Sequence, residues 1–153
     1  MIILPEIILS LGFLLLLCIS PFIKADSHKF IGYLGLLLIF LTQFSIVKDI
    51  FIFEEVFEGF FIIDSFGSFL KLIILISGGL VLFFYLIVKH DKSLNRPEFS
   101  LVVLISLIGM MFMVSANNLL SLFVSIELQS LALYILVSFS KEDLNSSEAG
   151  VKY

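Results

Sequence analysis

Between Phe99 and Phe139 the chain runs for 41 residues with one charged side chain, Glu127. A helix of that length reaches roughly 60 Å at about 1.5 Å per residue, twice the roughly 30 Å hydrocarbon core of a bilayer. The stretch therefore folds back on itself as two spanning helices. The turn is expected at Asn117-Asn118, whose side chains bond nearby backbone and tolerate tight geometry. Glu127 then stands about 13 Å into the second helix, close to the bilayer midplane. A carboxylate there costs roughly 3 kcal/mol on insertion scales, so it must face a partner, face a wet cavity or take up a proton. A role in ion or proton movement is the first functional expectation.

The rest of the chain has the same character. It is 60% hydrophobic, with a mean hydropathy of +1.18, and its charges cluster between long apolar runs. That composition excludes a soluble globular domain and describes a polytopic membrane protein. Five helices are expected, at about residues 4–23, 30–47, 66–88, 99–115 and 119–139, forming a single transmembrane domain over residues 1–153. The fold class is all-α. The first span lacks a basic region before it and a small-residue cleavage site after it, so it is expected to stay in the mature protein. Cys18 is the only cysteine and lies inside that span, which reads as a small buried hydrophobe.

Orientation follows the Lys and Arg bias of short loops. Lys24 and Lys29, then Lys89, Lys92 and Arg96, then Lys141 and Lys152 follow spans one, three and five. The loop after span two carries Lys48 among five acidic residues. The N-terminus is thus expected outside and the C-terminus inside. The acidic outer loop has two apolar pieces, Ile50 to Phe53 and Phe60 to Ile63. They fit a short β-hairpin or, equally, an interfacial loop whose phenylalanines dip into the headgroups.

Helical spacing puts Ser130, Leu131 and Tyr134 on the face of Glu127, with Gln129 nearly opposite. That face can bond the carboxylate, line a water chain or serve as interhelical glue. Lys71, near the start of the third span, is expected to snorkel to the interface, with pairing to a carboxylate on another helix as the lesser alternative. Ser77-Gly78-Gly79 suits close helix packing. His28 and His90 fall in basic loops, and no metal-ligand spacing accompanies them. No nucleophile, base and orienting group can be assembled, and no phosphate-binding loop is present.

Val114 to Leu136, VSANNLLSLFVSIELQSLALYIL, followed by SSEAGVKY at Ser146 to Tyr153, resembles subunit 2 of proton-pumping NADH:ubiquinone oxidoreductase, respiratory complex I. Leu4 to Leu9, Phe61 to Leu72 and Glu98 to Asn117 carry the likeness along the whole chain, in the family's order. The resemblance implies an N-terminal portion of an antiporter-like subunit that moves protons as part of a proton-translocating NADH:ubiquinone reductase. This chain would itself hold no redox site: NADH, FMN, iron–sulfur clusters and ubiquinone would belong to other parts of the complex. Glu127 matches the family's fifth-helix glutamate, which would pair with a lysine on a seventh helix. Lys152 matches the lysine of the family's EAG-x-KY motif, where it would aid proton entry or merely snorkel. Asn118 stands where many relatives carry aspartate.

Relatives continue through many more helices. The resemblance therefore implies a split subunit, completed by a second polypeptide carrying the remaining helices, beside other complex I membrane-arm subunits in the lipid bilayer. No nucleic-acid partner is implied. Residue usage skewed toward Phe, with 18, and away from Pro, with 3, points to the mitochondrial inner membrane, with a bacterial inner membrane as the alternative. Two other readings stay open: a cation/proton antiporter component without a dehydrogenase, and a non-pumping structural scaffold.

Overall fold

The computed structural model describes residues 4–22, 28–48, 54–56, 59–88 and 96–139, with Glu148 and Lys152. Five α-helices dominate: α1 (Leu4–Ile19), α2 (His28–Lys48), α3 (Ser65–Ile87), α4 (Pro97–Ser115) and α5 (Leu119–Val137). Two short strands, β1 (Glu54–Val56) and β2 (Phe61–Ile63), lie between α2 and α3. All five helices are long and apolar enough to cross a membrane, α1 by way of a short extension.

Local chemistry sets the helix ends. Pro21 lacks an N–H and its ring crowds the preceding turn, so α1 ends at Ile19 and continues as a 3₁₀ turn, Ser20–Phe22. The first span is thus α-helical over less of its length than the 4–23 expected from hydropathy, and Cys18, expected to be buried, stands on the exposed side of α1. Asp64 caps α3 by accepting from Gly67 N at 2.8 Å. Pro97 opens α4 at a position where a missing N–H costs nothing. The expected turn lies between α4 and α5. Asn118 Oδ1 there accepts from Ser121 N at 2.8 Å, while Ser121 Oγ accepts from Asn118 N at 3.4 Å, a reciprocal capping box.

The core forms around α4, which is the most buried of the five helices and packs against each of the other four. Leu104, Leu107 and Met111 of α4 meet Leu9 of α1, Ile39 of α2 and Leu75 of α3 in one apolar cluster. The α4–α5 crossing is tight because residue 109 is glycine: a Cβ there would stand 2.9 Å from Gln129 N and 3.1 Å from its Cα.

One end of the bundle is organised by the strands. They pair antiparallel, with Glu54 opposite Ile63, Glu55 opposite Ile62 and Val56 opposite Phe61. Gly59, with φ of 85°, supplies the turn conformation that other residues rarely adopt. The second strand coincides with the expected apolar piece. The first is formed by Glu54, Glu55 and Val56 instead, and Ile50 to Phe53 lies outside the described residues. Pairing here is a backbone matter, and period-two alternation buries Ile63 while Glu55 stays exposed. The strands dock on the α4–α5 turn: Asn117 N donates to Phe60 O at 3.0 Å and Asn117 Nδ2 to Gly59 O at 2.7 Å. Phe61 also bridges to Ala116.

Candidate functional site

Two intramembrane carboxylates stand out, and the structure treats them differently. Glu127 lies about halfway along α5 on an exposed surface. α5 is the least buried helix of the five, and it turns only Ser121, Ser125 and Ala132 fully inward. Around Glu127 its outer face exposes Phe123, Val124, Ile126, Leu131 and Tyr134. Gln129, on the opposite side, is where α5 meets Gly109 of α4.

The face predicted to carry Glu127, Ser130, Leu131 and Tyr134 is therefore the face this bundle leaves uncovered. Ser130 Oγ does not reach the carboxylate; it donates to the backbone carbonyl of Glu127 at 3.1 Å. Among the described residues no cation pairs with Glu127. An apolar cleft of about 420 Å³ lies nearby, between the β2 end of the hairpin, α4 and α5. Its described lining residues, which include Phe60, Phe61, Phe112 and Leu128, hold no titratable group. A carboxylate so placed in a spanning helix can act only with a cation or water supplied from outside these residues.

The second carboxylate is Glu6, near the start of α1, and it was not expected. It is 4% exposed, and its Oε1 accepts from Lys71 Nζ of α3 at 2.5 Å. Lys71 is 3% exposed. The reading of Lys71 as a snorkelling lysine is thus corrected in favour of the lesser alternative, a pair with a carboxylate on another helix. The reason is the face it occupies. Gly67, Ser68, Lys71, Leu75 and Gly78 share the buried stripe of α3, at helical spacing. Phe66, Phe69, Ile73 and Ile76 take the outer face. From that stripe the lysine stem points into the bundle, where Glu6 stands within reach.

Ser115 Oγ, at the end of α4, lies 3.4 Å from the same Oε1. Oε2 is enclosed and has no hydrogen-bond partner among the described residues. The signal for this cluster was present in the residues: LPEIIL places an acid inside the first span, and Lys71 is the only other charge inside the first three apolar runs.

Lys152 Nζ pairs with Glu148 Oε1 at 2.5 Å, four residues back, with both side chains largely exposed. Among the described residues it pairs with neither Glu127 nor Glu6. His28 is the first residue of α2, and His90 lies outside the described residues.

With this geometry in place, comparison with known proteins is informative. Residues 116–153, which include α5, Glu127 and Lys152, match a family model described as NADH:quinone oxidoreductase/Mrp antiporter, TM. Nearly the whole chain is similar to bacterial proteins named NADH-quinone oxidoreductase subunit N. Identity is 38% over 156 residues with that of Bartonella bacilliformis, covering 99% of this chain and 31% of the relative. It is 38% over 152 residues with that of Rhodospirillum rubrum, covering 98% and 31%. It is 34% over 150 residues with that of Parvibaculum lavamentivorans, again 98% and 31%. The chain spans about a third of the length of these relatives.

Proposed function

On the premise that this chain is a member of the antiporter-like membrane subunits of NADH-quinone oxidoreductase, we propose that it contributes the fifth-helix glutamate, Glu127, to a proton-translocating half-channel in that enzyme's membrane arm. The observation that carries the reading is the exposure of a lone carboxylate halfway along a spanning helix whose outer face is otherwise uncharged. In lipid that arrangement is costly; against a neighbouring helix with a cationic side chain it is productive. A carboxylate within about 4 to 6 Å favours the charged ammonium, and withdrawing it favours proton release. Moving Glu127 relative to such a lysine therefore converts a conformational change into a proton affinity change.

The lysine would come from helices beyond these 153 residues, packed on the uncovered face of α5. These helices belong either to a second polypeptide of a split subunit, beside the other membrane-arm subunits, or to a longer form of this chain. The redox reaction, with NADH, FMN, iron–sulfur clusters and ubiquinone, proceeds in other parts of the complex. The N-terminus faces outward and the C-terminus inward, in the mitochondrial inner membrane or, as for the relatives named above, a bacterial one. Lys152, paired with Glu148 at the inner end, is assigned no more than an auxiliary part in proton entry.

The family description also names Mrp antiporters, which favours one second reading, a cation/proton antiporter component working without a dehydrogenase. A native gel of gently solubilised membranes, stained for NADH dehydrogenase activity and analysed by mass spectrometry, separates the two. This chain is expected in the active band, together with peptides carrying an intramembrane lysine. Its absence from the band moves the assignment to the antiporter reading. Within the band, the peptide masses tell a second polypeptide from one longer product. Glu127→Gln should then lower proton translocation per NADH oxidised with assembly intact. Unchanged translocation would leave only a scaffold role.

A further inference from the structure

The apolar cleft between the hairpin, α4 and α5 is no part of the Glu127 site, since Glu127 is not among its described lining residues. Along α5 its wall runs from Leu120 through Val124 to Leu128. Eight residues of helix make that wall about 12 Å long, close to the roughly 15 Å half-thickness of a bilayer core. The cleft is thus a slot along the helix axis, beginning at the strand end of the bundle. Phe60, Phe61 and Phe112 line its other side, and the Phe61 and Phe112 ring centroids are 5.8 Å apart.

The chemistry of the walls excludes water as the filling. A held water needs about two to four polar partners. Both hydroxyls of the described lining are already used: Ser121 Oγ stands 3.0 Å from Phe60 O and from Asn118 O, and Ser125 Oγ donates to Ser121 O at 2.7 Å. What remains is an apolar space of about 420 Å³, and in a membrane such a space takes hydrocarbon.

The mouth of the slot decides which hydrocarbon. Phe60 follows Gly59 in the hairpin turn, and Glu55 Oε2 stands 3.9 Å from where a Cβ on Gly59 would lie. Glu55 is exposed, and among the described residues no cation pairs with it. A carboxylate at the mouth of an apolar slot one leaflet deep matches an amphiphile with an apolar chain and a cationic head. We propose that the slot holds one acyl chain of a phosphatidylethanolamine from the leaflet at the strand end, with the headgroup ammonium donating to Glu55. The ammonium gives Glu55 a charge-assisted hydrogen bond. A quaternary headgroup has no N–H to give, and an anionic headgroup is repelled by the same carboxylate. The bound chain covers the seam where the hairpin docks on the α4–α5 turn.

The test supplies native membranes with phosphatidylethanolamine carrying a diazirine midway along one acyl chain. After irradiation, the labelled positions in this chain are mapped by mass spectrometry. Phosphatidylcholine and phosphatidylglycerol with the same diazirine chain give the headgroup comparison. Labelling is expected between Leu120 and Leu128 and at Phe112, stronger for phosphatidylethanolamine than for phosphatidylglycerol by about two- to five-fold, the range of an exposed ion pair. Glu55→Gln should remove that preference and leave the labelled positions unchanged. Val124→Trp fills the slot from a side chain that is 58% exposed, and should abolish the labelling. Leu120→Trp, at a position 63% exposed, replaces it if Val124→Trp does not accumulate. Absence of label inside the slot overturns the proposal, and is the result if a further helix fills it. Labelling that survives the tryptophan overturns it too, as does equal labelling by the three lipids or a preference that persists in Glu55→Gln. The readout involves no NADH oxidation, so this proposal and the proton-translocation reading fail separately.

Discussion

Glu6 and Glu127 are both carboxylates on helices able to span a membrane, in one small bundle, and their surroundings are opposite. Glu6 is enclosed and receives an ammonium and a hydroxyl from its own chain. Glu127 is exposed on the least buried helix, and no cation among the described residues answers it. The first acid has a cation within the bundle and the second has none among the described residues. A bilayer tolerates neither as an unpartnered anion, so the contrast separates groups that hold this bundle together from groups that expect a neighbour.

The sharpest way to break that comparison is to remove a cation. Lys71→Met leaves Glu6 buried beside no positive charge, a change that typically costs about 3–5 kcal/mol. Thermal unfolding of the solubilised protein should show a large drop, mostly recovered when Glu6→Leu is added. Glu127→Gln, by contrast, should move stability by no more than about 0.5 kcal/mol, as expected of an exposed site. Comparable losses for both would mean that Glu127 has an unseen partner within the chain.

A smaller effect tests whether α5 is held only through α4. Gly109→Ala places a methyl carbon against the backbone of Gln129, and relieving such a clash costs about 1–3 kcal/mol. The helix that moves is α5, so a label on a cysteine near Glu127 should change in accessibility while the Lys71–Glu6 pair is undisturbed. A change at both sites would show the two regions to be mechanically coupled.

Asn118→Ala should cost about 1 kcal/mol by removing the cap of α5. Asn118→Asp should cost far less, because a carboxylate oxygen can accept from Ser121 N as the amide oxygen does, and negative charge is favoured at a helix N-terminus. Measured by thermal unfolding, equal losses for the two variants would show that the cap does not fix the helix carrying Glu127.

Much of this architecture was legible because hydrocarbon length, proline and Asn-Asn turn chemistry act locally. The number of helices and the turn before α5 follow from spacing; spacing also groups Glu127 with Ser130, Leu131 and Tyr134, but it does not say that this bundle leaves their face uncovered. The Glu6–Lys71 pair was not, because it joins residues 65 positions apart, and each partner sits at the edge of its apolar run. The expected spans 4–23 and 66–88 put both ions near a span end, which invites the interfacial explanation. Packing decided otherwise. The small residues Gly67, Ser68 and Gly78 on the face of Lys71 were the sequence signal that this face turns inward. The first strand was missed for a related reason, since backbone pairing needs no apolar side chains.

The smallest effect comes from Glu148, the other described acid with a lysine partner. Lys152 and Glu148 meet at 2.5 Å, the same separation as Lys71 and Glu6, but four residues apart and largely exposed. Ion pairs of this kind in water are worth about 0.3–0.5 kcal/mol, since solvent screens the attraction and two long side chains lose freedom. Lys152→Ala should therefore shift thermal unfolding barely at all, and that small shift should shrink further in high salt. The loss from Lys71→Met should resist salt, because that pair is enclosed. With the separation the same in both pairs, a large difference between the two responses assigns the strength of the Glu6 site to its burial. Equal, salt-sensitive responses would mean that water reaches Glu6, and the contrast with Glu127 would collapse.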